Sequence, residues 1–220
     1  MFVAIVPAYN EEKSIERVVK ELLSYVDSVI VVNDGSRDKT AHKAKKAGAV
    51  VLSHTINRGQ GAALETGQAY ARKLNADYVL HFDADLQFDT ADIKPAMKAL
   101  LDAQAEVLVG SRYLDNRSNI PFTKRYILAP ISRMVDFFFG GLKLSDAHNG
   151  FRIFSKKALE KIRIQHDGMA HASEIPKLIK REKLSYIEFP VKVTYHEYGQ
   201  GLSGGIRVVK DLIFGFFLHK

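Results

Sequence analysis

The apolar positions of the first 110 residues come in short unbroken runs that alternate with helically spaced ones. Residues 2–6, 29–32, 50–52, 78–82 and 107–109 are runs of the first kind, which predict strands covered on both faces. Ile15, Val18, Val19, Leu22, Leu23 and Val26 follow the helical period, with Asn10 as the expected cap and Glu11 and Glu12 in the first turn. A lysine-rich stretch ending at Ala47, a stretch from the turn at 57–61 to Leu74, and the set Ile93, Met97, Leu100 and Leu101 predict three more helices. Strands separated by helices predict parallel βαβ units and an α/β fold, with a mostly parallel central sheet flanked by helices. The second half is less regular. It predicts a polar loop at 114–121, a helix over 125–144 that Pro130 would kink, and strands at 150–154 and 186–195. Four glycines within 196–205 suggest a mobile loop. Residues 1–220 read as one domain, and 206–220 as an apolar, basic helix suited to core packing or to a membrane surface.

Composition narrows the range of functions. The chain has no cysteine, which excludes disulfide frameworks, thiolate metal sites and cysteine nucleophiles and fits a reducing compartment. A net charge of +7 points to an anionic partner: nucleic acid, a phosphorylated ligand or an anionic membrane face. No nucleic-acid-binding motif supports the first, and the lysines at 39–46 sit on a helix that water can solvate. The opening MFVAIVPAYNEE lacks a basic leader and is not expected to be a signal peptide. No window approaches the roughly 20 apolar residues of a spanning helix.

Polar residues follow each predicted strand, at the edge where open α/β sheets bind ligands. Asp83-Ala84-Asp85 sets two carboxylates at i and i+2, which points both to one side of an extended backbone. Hard divalent cations such as Mg2+ prefer such oxygens. Asp34 either caps the next helix or accepts from a base or ribose. Asn57-Arg58-Gly59-Gln60-Gly61 offers two glycines and a helix amino end to a phosphate, although it is neither G-x-G-x-x-G nor a P-loop. Arg112, Arg125, Arg133 and Arg152 carry planar forks suited to phosphate, and Arg112 and Arg152 adjoin buried-strand patterns. Asp146, Glu174 and Glu197 are candidates for a general base or, equally, for caps and salt bridges. His81 lies inside a strand and reads as a core histidine.

Taken in order, Pro7-Ala8-Tyr9-Asn10-Glu11, Asn33-Asp34-Gly35-Ser36, Asn57-Arg58-Gly59-Gln60-Gly61, Asp83-Ala84-Asp85-Leu86-Gln87 and Gly110-Ser111-Arg112-Tyr113 resemble the family 2 glycosyltransferases with the GT-A (Rossmann-like) fold. Asp146, Gly150-Phe151-Arg152, Glu174 and Phe189-Pro190-Val191 extend the likeness to the branch resembling dolichyl-phosphate mannose synthase and bacterial polyprenyl-phosphate glycosyltransferases. The resemblance implies a metal-dependent, inverting transfer of a sugar from a GDP- or UDP-sugar to a polyprenyl phosphate. The expected location is the cytoplasm, with the inner face of the cell membrane as the alternative that the 206–220 segment offers.

By the same resemblance, Pro7, Ala8, Tyr9, Glu11 and Asp34 line the nucleotide pocket. Gln60 and Asp83, Ala84 and Asp85 lie near ribose and diphosphate, with Asp83 and Asp85 on Mg2+ or Mn2+. Arg112, Arg125 and Arg152 face the acceptor phosphate or the donor diphosphate, and Asp83, Asp85, Arg112 and Arg152 form the catalytic set. Gln87 looks like the family's residue after Asp-x-Asp-Leu. Tyr195-His196-Glu197-Tyr198 resembles the Tyr-x-Glu-Tyr stretch of bacterial relatives, not the Arg before Gly-x-Ser-Lys of the mannose synthases, and brings His196 and Glu197 into second rank. Two other readings stand beside this one. Transfer to a sugar or glycolipid hydroxyl would need a positioned carboxylate. An inactive nucleotide-sugar-binding relative would not need the intact Asp83 and Asp85.

Overall fold

The computed structural model describes residues 1–120 and 142–194. Seven strands make one sheet: β1 (Phe2–Ala8), β2 (Ser28–Asn33), β3 (Val50–Ser53), β4 (Tyr78–His81), β5 (Val107–Ser111), β6 (Arg152–Ser155) and β7 (Tyr186–Pro190). Their order is β3-β2-β1-β4-β6-β5-β7. β1 is parallel to β2 and β4, β2 to β3, and β5 to β7. Only β6 is reversed, and it joins the two parallel groups by pairing antiparallel with both β4 and β5. The sheet is therefore mostly parallel, as the sequence predicts.

The unbroken apolar runs are explained by cover on both faces. Ala4 and Val6 of β1 face one core together with Ile15, Val18, Val19 and Leu22 of α1 (Ile15–Leu22), Ala44 of α2 (Thr40–Lys46) and Ile93, Ala96 and Leu100 of α4 (Ile93–Asp102). Val3 and Ile5 face the other, with Ala63, Leu64 and Ala71 of α3 (Gln60–Lys73), Ala158 and Leu159 of α5 (Lys156–Lys161) and Ile175, Leu178 and Ile179 of α6 (His171–Arg181). Buried area of this kind contributes roughly 25 cal/mol per Å².

Several expectations need correction. Asn10 does not cap α1: its φ is +56°, its Oδ1 accepts from the Arg37 N–H at 2.9 Å, and the helix begins only at Ile15. β7 stops at Pro190, which ends the parallel ladder to β5. Residues 191–194 turn instead toward the loop after β4. β6 begins at Arg152 and not at 150, because Asn149 Oδ1 takes the Phe151 N–H at 2.9 Å. Residues 142–144, at the end of the expected 125–144 helix, are not helical. α5 and α6 are not among the elements the pattern predicts. The rest of that helix, the glycine-rich loop at 199–205, the 206–220 segment, and Arg125, Arg133, His196 and Glu197 lie outside the described residues. Among the described residues, no helix is long and apolar enough to cross a membrane.

Candidate active site

β1 and β4 are parallel neighbours, so the residues that follow them emerge side by side at the carboxyl edge of the sheet. Asp83 is part-buried there and accepts from Gln60 Nε2 at 3.0 Å, which joins the amino end of α3 to the end of β4. Burial and then the negative charge of Asp85 push the Asp83 carboxyl up to about 7, against the pull of Arg152, Arg112 and the Gln60 hydrogen bond. Glu11 is also raised, first by burial and further by Asp85 and Asp38, while its hydrogen bond from Ser14 works the other way. Asp85 thus acts electrostatically on both Asp83 and Glu11, although no three His, Cys, Asp or Glu side chains among the described residues come together closely enough to hold a metal ion by themselves.

Gly150 closes the far side of Asp83. A Cβ at this position would overlap the Asp83 carboxylate, so only glycine lets the two segments meet. Two residues on, Arg152 sits across the ladder from His81 and is 1% exposed. Its Nη2 donates to the Ala147 carbonyl at 2.9 Å, and its Nε finds no partner among the described residues. Burial brings its guanidinium down to about 10, while Asp83 and Asp146 favour its charge. This corrects the sequence expectation. Arg152 lies below the carboxylates, shielded from solvent, and does not stand open to a phosphate.

Asp34, at the end of β2, is likewise engaged within the fold. Its Oδ1 accepts from the Arg58 N–H at 2.9 Å and meets His54 Nδ1 at 2.7 Å, and its Oδ2 accepts from the Gly59 N–H at 2.7 Å. It therefore fixes the turn between β3 and α3. The glycines of that turn also serve the fold. Cβ atoms at Gly59 and Gly61 would overlap the carbonyls of Asp167 and His166, and the Ala62 N–H donates to the Asp167 carbonyl at 3.1 Å. What approaches the helix amino end closely is the backbone of 166–167, where a phosphate was expected.

Beside Asp34 lies an open hollow of about 320 Å³, lined by Tyr9, Asn33, Gly35, Ser36, Arg37, His54, Thr55, Ile56 and Asn57. Tyr9 is 47% exposed at its rim, and Ala8 is buried beneath it with its carbonyl accepting from the Asp34 N–H. Pro7 lies within β1, level with Val32 of β2. The hollow has the polar edges and the aromatic wall that a nucleobase needs. His54 and Arg37 are missed by the sequence reading. The usable signal was the position of His54 directly after β3.

The remaining candidates fall into two groups. Arg112, after β5, grips Asp146: Nε donates to Oδ2 at 2.7 Å, Nη2 to Oδ1 at 2.8 Å, and the backbone N–H to Oδ2 at 3.1 Å. Asn149 Nδ2 adds a fourth bond at 3.0 Å. Burial alone would raise the Asp146 carboxyl, but Arg112 and Asn149 outweigh it and hold the group below its usual range. Glu174, in the first turn of α6, accepts the backbone N–H groups of Gln165 and His166 at 2.9 and 3.0 Å. Both sequence-level candidates for a base that the structure describes are thus fold-holding carboxylates. Gln87 acts through its backbone: its N–H donates to Asp85 Oδ1 at 3.0 Å and its carbonyl accepts from the Thr194 N–H at 2.9 Å.

Comparison with known proteins shows the family and the fold. The model of the family described as "Glycosyl transferase family 2" matches residues 3–163. The chain belongs to glycosyl transferase family 2. It is a glycosyltransferase. An uncharacterized protein of Methanocaldococcus jannaschii is 33% identical over 98% of this chain and 90% of its own length. The UDP-N-acetylglucosamine–dolichyl-phosphate N-acetylglucosaminyltransferase of Methanococcus voltae is 32% identical over 98% of this chain and 94% of its own length. Among solved structures, glucosyl-3-phosphoglycerate synthase from Mycobacterium tuberculosis with Mn2+ and UDP-glucose superposes with a TM-score of 0.75 at 19% identity, over 97% of this chain and 76% of that one. The likeness to that structure supports the GT-A fold of this family 2 member.

Proposed function

We propose that this family 2 enzyme moves a sugar from a nucleotide-sugar, a UDP-sugar in the first instance, to a polyprenyl phosphate with inversion at the anomeric carbon. One observation carries the choice of acceptor. Asp146 and Glu174 are bound by donors of the fold, so neither stands ready to take a proton from an alcohol. A phosphate monoester, with a second pKa of about 6, is already anionic near pH 7 and acts as nucleophile without a base. Arg112 lies at the same edge with its side chain about one-fifth exposed, and it would orient such an anion. The names of the relatives agree. The M. voltae enzyme is named for a UDP-sugar donor and dolichyl phosphate, and a 25% identical protein of Mycolicibacterium smegmatis is named a polyprenol monophosphomannose synthase.

The residues present fit a divalent cation. Asp83 and Asp85 offer hard oxygens that would share a cation with a substrate diphosphate, and Asp83 and Glu11 are raised first by burial and further by the like charge of Asp85, which a cation would relieve. Asp83 and Asp85 would hold Mg2+ or Mn2+, which when bound supplies charge neutralisation at the departing diphosphate. The hollow beside Tyr9 would take the base, with Asp34 shaping it from behind. Gln60 would fix the orientation of Asp83.

Calorimetry with UDP-, GDP-, CDP- and dTDP-sugars, with and without Mn2+, followed by transfer of labelled sugar to undecaprenyl phosphate, tests the reading. Mn2+-dependent binding of one donor, lost in Asp85→Ala, together with a labelled lipid phosphate of inverted configuration, is the expected result. Transfer only to a glycolipid hydroxyl would overturn the acceptor. Binding of no donor would favour an inactive relative. The same reading puts the chain at the cytoplasmic face of a membrane, with 206–220 on the lipid surface. The net charge of +7 and the apolar and basic makeup of that segment support it. Equal recovery of the full chain in soluble and anionic-liposome fractions would sink it.

A further inference from the structure

Leu86, the residue after Asp85, has φ +62°, a conformation that a leucine adopts only when its surroundings impose it. The surroundings are a small ladder. The Gln87 N–H bonds Asp85 Oδ1 at 3.0 Å, the Thr194 N–H bonds the Gln87 carbonyl at 2.9 Å, Phe88 bridges Val193, and the Asp89 N–H bonds the Lys192 carbonyl at 3.3 Å. The strand partner in this ladder is the 191–194 segment that leaves β7. That segment is held from its other side. Asp92, 5% exposed, accepts the Lys192 N–H at 2.7 Å through Oδ2 and Arg117 Nη1 at 2.7 Å through Oδ1. Arg117 Nη2 reaches the Pro190 carbonyl at 2.7 Å, and its Nε pairs with Asp115 at 2.6 Å. Ser118 Oγ donates to the Val191 carbonyl and accepts from the Val193 N–H.

We propose that Arg117 and Asp92 are positioning residues for Asp85: a clasp that holds the exit of β7 against the loop after β4 and so fixes the carboxylate and its strained neighbour. Buried Asp92 takes a guanidinium donor on one oxygen and the Lys192 N–H on the other, while the other donors of the Arg117 fork go to Asp115 and the Pro190 carbonyl, so directional charge-assisted bonds tie backbone segments far apart in sequence. Neither residue is near enough in sequence to Asp85 to act locally. The effect runs through Pro190, Lys192, Thr194 and Gln87. The inference rests on Asp85 serving the donor side, as proposed above.

Arg117→Gln, Arg117→Lys and Asp92→Asn in the full chain test it, with Ile179→Val, in the opposite core, as a comparator that lowers stability without touching the clasp. Two readouts are needed: amide hydrogen exchange at Gln87 and Thr194, and Mn2+ affinity in the presence of UDP. Arg117→Gln and Asp92→Asn are expected to speed exchange at both amides and to weaken Mn2+ by about tenfold each. Arg117→Lys should recover part of both, since it keeps the charge opposite Asp92 but not the fork. Ile179→Val should lower the thermal midpoint and move neither readout. Unchanged exchange at Gln87 and Thr194 in Arg117→Gln overturns the clasp, and faster exchange with unchanged Mn2+ affinity overturns its positioning role. A wild-type chain that binds no Mn2+ would overturn the donor-site reading instead. The exchange of Gln87, whose N–H is bound to Asp85 itself, then decides the clasp alone.

Discussion

Asp83 keeps its proton to about pH 7, where an ordinary aspartate gives it up near 3.8. Between those values the unfolded chain releases a proton that the folded chain retains, so metal-free protein loses stability as pH rises from about 4 to about 7. Asp83→Asn removes the titration. In the absence of metal its thermal midpoint should match wild type near pH 4 and exceed it at pH 8, and an unchanged gap across that range would refute the assignment. His171 acts in the opposite sense. Burial first, and then Arg152 and His148, bring its imidazole down to about 4, against a hydrogen bond with the Gly168 carbonyl, so stability falls as pH drops from about 6.5 toward 4. Neither shift is legible in the residues alone. Each follows first from burial by distant segments, to which neighbouring Asp85 adds for Asp83 and Arg152 of β6 for His171.

The turn from β3 into α3 shows the same dependence one level up. Sequence reading finds the turn and its two glycines, and assigns the space they leave to a phosphate. The structure fills that space with the backbone of 166–167, and Gly59 stands at φ +108°. Gly59→Ala therefore meets both left-handed strain and a carbonyl that cannot move aside, and should cost at least about 2 kcal/mol in urea unfolding. Gly168→Ala, in the facing loop, meets open space and should stay within about 0.5 kcal/mol. Equal losses in the two variants would mean that the loops do not pack as described. The clasp of Arg117 and Asp92 is an element-scale feature too. It escaped the sequence because residues 92, 117 and 190–192 meet only after β5 and β7 have paired.

Across the whole molecule, the sheet is gripped between two helical layers, and the closeness of one is set by Gly67 of α3. A Cβ there would overlap Ile5 Cγ2 at the centre of β1. Helix propensity alone would reward Gly67→Ala by about 1 kcal/mol, but overpacking a filled core costs about 1–3 kcal/mol and should win. Ile5→Ala opens the matching space at a cost of about 2–5 kcal/mol, and the double variant should lose less than the sum of the singles by about 0.5–3 kcal/mol. Additive losses would show that the layers are not in contact at this point. By itself, the sequence determined the α/β alternation, the five parallel strands of the first half, and the carboxyl edge as the place for Asp34, Asp83, Asp85 and Arg112. Those features follow from local periodicity and from the rule that polar residues end buried strands. Only the tertiary structure decided that β6 runs backwards between β4 and β5, that Arg152 lies beneath the carboxylates, and that Asp34, Asp146 and Glu174 hold the fold. The reason is physical. A carboxylate or a guanidinium has the same chemistry wherever it stands, and its role is set by the donors, acceptors and low-dielectric surroundings that distant segments bring to it.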